Sequence, residues 1–529
     1  MTLPPTATAG TATAGTTTAT TATATTAKPD ATPLPALPRL DRTSALPDEV
    51  RRPVAAPSDT GVGIVHLGIG AFHRAHQAVC TQDAMDATVD LRWGILGVTQ
   101  RSRTVVDQLR PQGGAYGVLT TGEQDSVRVI GAVVDAAHPA TETRRVLDTI
   151  AAPTTHLVTL TVTEKGYSRG PDGGLDQALV GADLAALRDE ETGRTAGADP
   201  VPSTSAVGLL VRGLAARRRA GGSPITVLTC DNMVDNGRVL AALVRDAVRH
   251  ALPGDEGDAL RAWLDTSVTF PCSMVDRIVP ATTDEHRRRA EAVTGVRDDG
   301  LVVAEPFFQW VVEDSFAGPR PAWERGGATI VDDVAPYERA KLRMLNGTHS
   351  LIAYAGAVAG HVTIADAVRD PAIEKAARAY LFEDALPGVD VPGMDLPAYG
   401  EEILARFADP GTGHTTIQVA MDGSQKIPFR WAPVAADSLA AGRSADGVAA
   451  GLAAWVRFVV RAVQDDGLPL VDPRAQELRA AVAGASASAG AGGEVVEAEA
   501  ARALLSLPGL LSEDVRDAMV ERVAEQLAG

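Results

Sequence analysis

Within the twelve residues from Glu338 to His349 stand four side chains, Glu338, Lys341, Asn346 and His349, of the types needed to move a proton to or from a reacting oxygen. At about 100° per residue they share an arc of roughly 140° on one helix face. In water a lysine titrates near ~10.4, but enclosure in a cleft disfavours its cation, and an amine brought toward neutrality acts as a general base. Asn346 and His349, a turn apart, are spaced to hydrogen-bond the reacting oxygen. The same spacing also fits a solvated face carrying an i,i+3 Glu–Lys pair.

A second constellation, Gly68-Ile69-Gly70, follows the apolar run Val62 to Leu67. Glycine there lets the backbone approach a dinucleotide pyrophosphate, and a following helix presents free N–H groups. His73 replaces the third glycine of the usual fingerprint, so a plain tight turn also fits. The stretch Gly97 to Arg103, after the next apolar run, holds no acid to bond the ribose 2′-hydroxyl of NAD. Arg101 and Arg103 suit a 2′-phosphate there, or a solvated helix start.

Rival chemistries are weaker. Tyr337-x-x-x-Lys341 matches the Tyr/Lys pair of short-chain dehydrogenases but lies far past Gly68. Zinc would need a ligand cluster, and only Cys80 with His73 and His76 offers a partial one, at the glycine turn itself, so no metal is expected. There is no Gly-x-Ser-x-Gly elbow and no Walker loop.

The elements that must hold these groups follow from the apolar pattern. Strand candidates are Val62 to Leu67, Trp93 to Val98, His156 to Val162, Ile225 to Thr229 and Ser267 to Phe270, with helical runs between them, notably Ser205 to Ala220 and Gly237 to Ala251. That alternation predicts an α/β domain with a parallel sheet of Rossmann type over 45–333. From 334 to 529 Ala/Leu-rich helical periodicity dominates, which predicts a mostly α-helical C-terminal domain. The low-complexity run Gly484 to Gly493 reads as a mobile insert.

The 529 residues are 45% hydrophobic and 22% charged, enough for two or three packed domains. A net charge of −18 with no basic block argues against nucleic acid. No run approaches the ~18 apolar residues of a membrane span. Three scattered cysteines fit a reducing cytoplasm. Residues 1–44 read as a disordered leader, because 13 Thr and 8 Ala fill its first 27 positions with almost nothing to bury. Nothing marks the oligomeric state.

Taken together, His66-Leu-Gly-Ile-Gly-Ala-Phe-His-Arg-Ala-His-Gln77, Leu160-Thr-Val-Thr-Glu-Lys-Gly-Tyr167, Cys230-Asp-Asn-Met233, Phe270 to Pro280, Glu305 to Trp310 and Lys341 to Ser350 resemble the mannitol dehydrogenase/fructuronate reductase family over roughly residues 45–529. The resemblance implies an active site between a Rossmann-type domain and a helical domain, NAD or NADP as cofactor, and metal-independent hydride transfer on a small sugar acid or polyol. It makes Lys341 the acid–base group, Asn232 and Asn346 the pair that holds the substrate oxygen, His349 an orienting group, and Glu338 the carboxylate that passes the proton to solvent. It places Asp276 and Lys426 in the substrate pocket, and Gly68, Gly70, Phe72 and Arg101 at the cofactor. Lys165 stands where the family's mannitol enzymes tend to have glycine, and Gln418 to Pro428 looks more like the hexuronate branch. Those two features favour a carboxylated substrate, D-mannonate or D-fructuronate, over mannitol.

Overall fold

Among the described residues the apolar runs pair as twelve strands: β1 Val62–Leu67, β2 Gly94–Val98, β3 Tyr116–Thr120, β4 Ser126–Ile130, β5 Val133–Ala137, β6 Leu157–Leu160, β7 Ile225–Thr229, β8 Val268–Thr269, β9 Ser273–Asp276, β10 Val302–Ala304, β11 Gln309–Glu313 and β12 Thr329–Val331. The computed structural model describes residues 37–54, 61–122, 125–170, 172–194, 197–464, 467–489 and 493–528. Most of the expected leader lies outside these residues.

Six strands form one parallel sheet in the order β5-β2-β1-β6-β7-β8. Counting only its own members in chain order, this is the 3-2-1-4-5-6 arrangement of the doubly wound dinucleotide fold. Its strands are continuous apolar runs because both faces are covered. On one face Val65 and Leu67 pack with the helices Pro139–Ala151, Ala206–Arg219 and Asn236–Ala251; on the other Ile64 packs with the helix Gln77–Thr88, Trp310 and Trp323. The order reverses between β1 and β6, and a crevice opens at their carboxyl ends.

Two three-stranded sheets, β10-β3-β4 and β12-β11-β9, lie outside that pattern. The second sheet carries Asp276 at the end of β9, paired with Gln309 of β11.

Beyond β12 the described chain is helical. Helix Ala335–Ala340 runs into a π-helical turn, Lys341–Asn346, and on into helix Gly347–Ala359. Helix Asp446–Val463 is the buried axis of this part, with Trp431, Trp455, Tyr354 and Tyr380 in the core around it. The run expected to be a mobile insert is helical instead as far as Ala489, within helix Ala475–Ala489, and Ala485 is buried. Alanine is the strongest helix former, which outweighs low complexity as a signal.

The body also begins earlier than the leader reading expects. Residues from Pro38 belong to the main unit. Leu40 is buried and its N–H donates to the Arg297 carbonyl at 2.8 Å. Arg42 donates to the carbonyls of Gly113, Gly131 and Val133. Cutting the chain at residue 44 would remove both.

Candidate active site

The glycine turn sits at the carboxyl end of β1. Gly68 has φ +95, and a Cβ there would stand 2.1 Å from the Thr161 carbonyl oxygen, so β6 leaves room only for glycine. A Cβ on Gly70 would meet nothing nearer than the Gly68 carbonyl at 3.8 Å. What Gly70 leaves open is therefore space outside the chain, as a pyrophosphate cradle requires. The helix Ala71–Ala75 starts there, with Phe72 in its first turn stacked on His76 at 4.9 Å between centroids. His73, in the place of the third glycine, turns inward and stacks flat on His66 of β1 at 3.4 Å. Burial holds its imidazole down to about 3, so it is neutral. Close helix–strand packing is achieved by stacking rather than by a missing side chain.

Lys341 lies at the start of the π-helical turn and is 6% exposed. Its Nζ donates to Asn232 Oδ1 at 2.5 Å and to the Val275 carbonyl of β9. Burial lowers its pKa, opposed by the Asp276 carboxylate and helped by the Arg406 and Arg430 cations. The amine that the helix face predicts as a base is thus enclosed and pushed toward neutrality. The wider i→i+5 turn inserts an extra residue, which swings Asn346 and His349 back toward the face that carries Lys341.

Asn232 is held by its neighbours. The preceding Asp231 carboxylate accepts from the N–H groups of Val162 at 2.9 Å and Thr163 at 2.8 Å and from the Tyr167 hydroxyl at 2.8 Å. Asn236 donates to the carbonyls of Asp231 and Ser273 and accepts from the Ser273 N–H. These bonds lock the ends of β6, β7 and β9 together, so the oxygen facing Lys341 is fixed by three strands.

Glu338, one turn before Lys341, is 8% exposed, and burial pushes its carboxyl up to about 7, with Asp235 and Glu313 adding to the rise. Asp276 forms an ion pair at 2.7 Å with Arg406, whose other nitrogens hold Glu305 at 2.8 and 3.2 Å. All three groups are at most 9% exposed, and the guanidinium lies 3.7 Å above the Phe307 ring.

His349 is stacked on Phe407 at 4.6 Å, with its Nε2 buried and without a hydrogen-bond partner. Burial and the nearby His414, Arg430, Lys426 and Arg406 hold it well below its ordinary pKa, so it is neutral. Arg430 donates to the Asn346 carbonyl at 3.1 Å and the Ser350 hydroxyl at 2.7 Å. Lys426 donates to the carbonyls of Val419 and Met421, and burial lowers it to about 8.

The geometry brings Lys341, Asn232, Glu338 and Asp276 to one place, with Asn346, His349 and Lys426 on the surrounding turns. Lys165 is elsewhere: it is exposed and lines a cavity at the ends of β1 and β2 with Arg101. Tyr337 points its hydroxyl at the Pro392 carbonyl, away from Lys341. Of the partial zinc set, Cys80 faces the Trp323 carbonyl and His76 the Gln309 carbonyl. Among the described residues no group of three His, Cys, Asp or Glu side chains could hold a metal ion. No described helix is long and apolar enough to cross a membrane. Sequence reading missed Arg406, Arg430, Asp231 and Asn236; only the buried surroundings of these polar residues distinguish them.

This strand order, with a glycine turn at the switch point and an enclosed lysine across the crevice, fits a dinucleotide-dependent oxidoreductase. Residues 62–325 match the mannitol dehydrogenase Rossmann domain and residues 333–526 the mannitol dehydrogenase C-terminal domain; the chain belongs to the mannitol dehydrogenase family, a family of nicotinamide-dependent dehydrogenases. It is 38% identical over 463 residues to the D-mannonate oxidoreductase of Escherichia coli, covering 85% of this chain and 89% of that protein. It is 38% identical over 424 residues to the D-arabinitol 4-dehydrogenase of Ralstonia nicotianae, covering 77% and 86%. Among solved structures it is similar to the Pseudomonas fluorescens mannitol 2-dehydrogenase in ternary complex with NAD and D-mannitol, with a TM-score of 0.76, 31% identity, and 93% and 96% of the two chains covered.

Proposed function

We propose that the protein interconverts D-mannonate and D-fructuronate, with Lys341 as the acid–base group. In oxidation the neutral Lys341 amine takes the proton of the substrate hydroxyl while the hydride leaves the same carbon. A nicotinamide dinucleotide held at the glycine turn by Gly68, Gly70 and the helix start beyond them would supply the hydride acceptor, or in reduction the hydride donor. Asn232 and Asn346 hold the oxygen as its charge develops, in the manner of an oxyanion site. Glu338 receives the proton from Lys341 and releases it toward solvent.

The observation that carries the choice of a carboxylated substrate is the pair of enclosed cations beside His349. Arg406 is neutralised by Asp276 and Glu305. Arg430 and Lys426 donate to carbonyls and a hydroxyl rather than to a carboxylate, although Asp422 and Asp472 lie near enough to Lys426 to favour its charge. Burying a cation without an anion bonded to it is costly, and a substrate carboxylate would offset that cost where a neutral polyol would not. The D-mannonate oxidoreductase relative supports the same reading. A neutral polyol is the rival substrate, supported by the D-arabinitol and D-mannitol enzymes among the relatives.

The test is reduction of D-fructuronate and of D-fructose, followed by loss of reduced nicotinamide. We expect kcat/KM for fructuronate to exceed that for fructose by about 100-fold, the worth of one or two charge-assisted bonds. Lys426→Met should lose most of that ratio. Preference for fructose would overturn the reading.

Glu338 gives a pH prediction. Above about 7 its carboxylate is ionised and can receive the proton, so kcat for oxidation should rise through that pH in the parent enzyme and lose the step in Glu338→Gln. Stability carries the opposite sign. A carboxyl raised from 4.5 to about 7 stabilises the fold below its ordinary value and loses that contribution as the pH climbs through 7. At pH 8 the Glu338→Gln enzyme should therefore melt no lower than the parent, and a lower midpoint there would contradict the buried placement.

A further inference from the structure

We propose that the protein selects a dinucleotide that carries a phosphate on its adenosine 2′-oxygen, NADP over NAD. This rests on the dinucleotide reading above and adds which of the two forms the chain takes. At the carboxyl ends of β1 and β2 lies a cavity of ≈ 150 Å³ whose wall includes Val98, Gln100, Arg101, Lys165 and Ser205. In a sheet of this order the adenosine ribose falls at the end of the second strand, here β2.

An NAD site places a carboxylate there to accept from the ribose 2′-hydroxyl, and the same carboxylate repels a 2′-phosphate. None of the 14 residues that line this cavity is acidic. Two of them, Arg101 and Lys165, are cations, one after β2 and the other after β6. Arg103 is already spent on Asp107, at 3.0 Å, which leaves Arg101 as the arginine for the cavity. Gln100 adds an independent sign. Its Nε2 is buried without a hydrogen-bond partner, while its Oε1 faces the Lys165–Gly166 loop, 3.4 Å from where a Gly166 Cβ would stand. One cavity therefore brings together two cations and a side chain with an unused amide donor, which matches a dianionic phosphate and gives a 2′-hydroxyl no carboxylate to bond.

The experiment is equilibrium binding without any sugar substrate, by calorimetry at one ionic strength, of NADPH, NADH, 2′,5′-ADP and 5′-AMP. We expect NADPH to bind at least about tenfold tighter than NADH, and 2′,5′-ADP tighter than 5′-AMP by a similar factor. Arg101→Ala and Lys165→Ala, both at exposed positions, should each shrink that ratio, and Gln100→Asp should invert it. NADH binding as tightly as NADPH overturns the selectivity while the dinucleotide reading stands. Binding of neither dinucleotide overturns both.

Discussion

A Lys341→Met enzyme is expected to bind reduced dinucleotide as the parent does and to lose turnover by on the order of 10²–10⁴-fold, the usual worth of a positioned acid–base group. Methionine keeps the buried stem and removes only the amine, so the helix should hold. The loss should appear in kcat more than in KM, because a proton in flight stabilises the transition state and not the ground state. A single-turnover experiment with pre-bound dinucleotide separates the chemical step from release. Near-normal single-turnover rates would remove Lys341 from the reaction. In the parent, the rate of oxidation should also climb with pH to a plateau below the range of an ordinary lysine, because burial lowers the pKa of this amine.

The largest effect on stability is expected at Arg406. Arg406→Met would leave Asp276 and Glu305 buried side by side without the guanidinium that binds both. Breaking a buried ion pair from one side costs about 3–5 kcal/mol, far more than the pair itself contributes, because the orphaned charge remains enclosed. Urea unfolding at pH 7 should show that loss. Adding Asp276→Asn and Glu305→Gln to the Arg406→Met chain should recover part of it, since neutral amides need no counter-ion. A midpoint within error of the parent would show that the triad is reached by water. Phe307 beneath the guanidinium would then be exposed as well.

Much of this architecture is legible in the sequence. β1 and β7 are found at their observed bounds, because strands buried on both faces are unbroken apolar runs. The helix bearing Lys341 is equally legible, since Glu338, Lys341, Asn346 and His349 have helical spacing. What escapes is of two kinds. Strands β3, β4, β5, β9, β10, β11 and β12 are three to five residues long and, apart from the β3–β4 hairpin, gain their pairing from distant segments, as when Ser273 to Asp276 meets Gln309 to Val312. Local pattern holds no trace of such a partner. The other kind is the polar scaffold. Asp231, Asn236, Arg406 and Arg430 look like any surface polar residues until the fold encloses them. Lys165 is a related case: a lysine inside a family block reads as a substrate contact, while the structure leaves it exposed after β6, lining a cavity with Arg101.

The π-helical turn from Lys341 to Asn346 makes this helix intolerant of a kind of change that surface loops absorb. A wide turn is a one-residue surplus held in register by what surrounds it. Adding a single residue there, which a surface loop would absorb, would leave the helix a helix. Every side chain downstream would then be out of phase with Lys341 by about 100°. Asn346 and His349 would be carried round the cylinder while still present in the sequence. The length of this segment is therefore as much a part of the candidate site as the residues it carries.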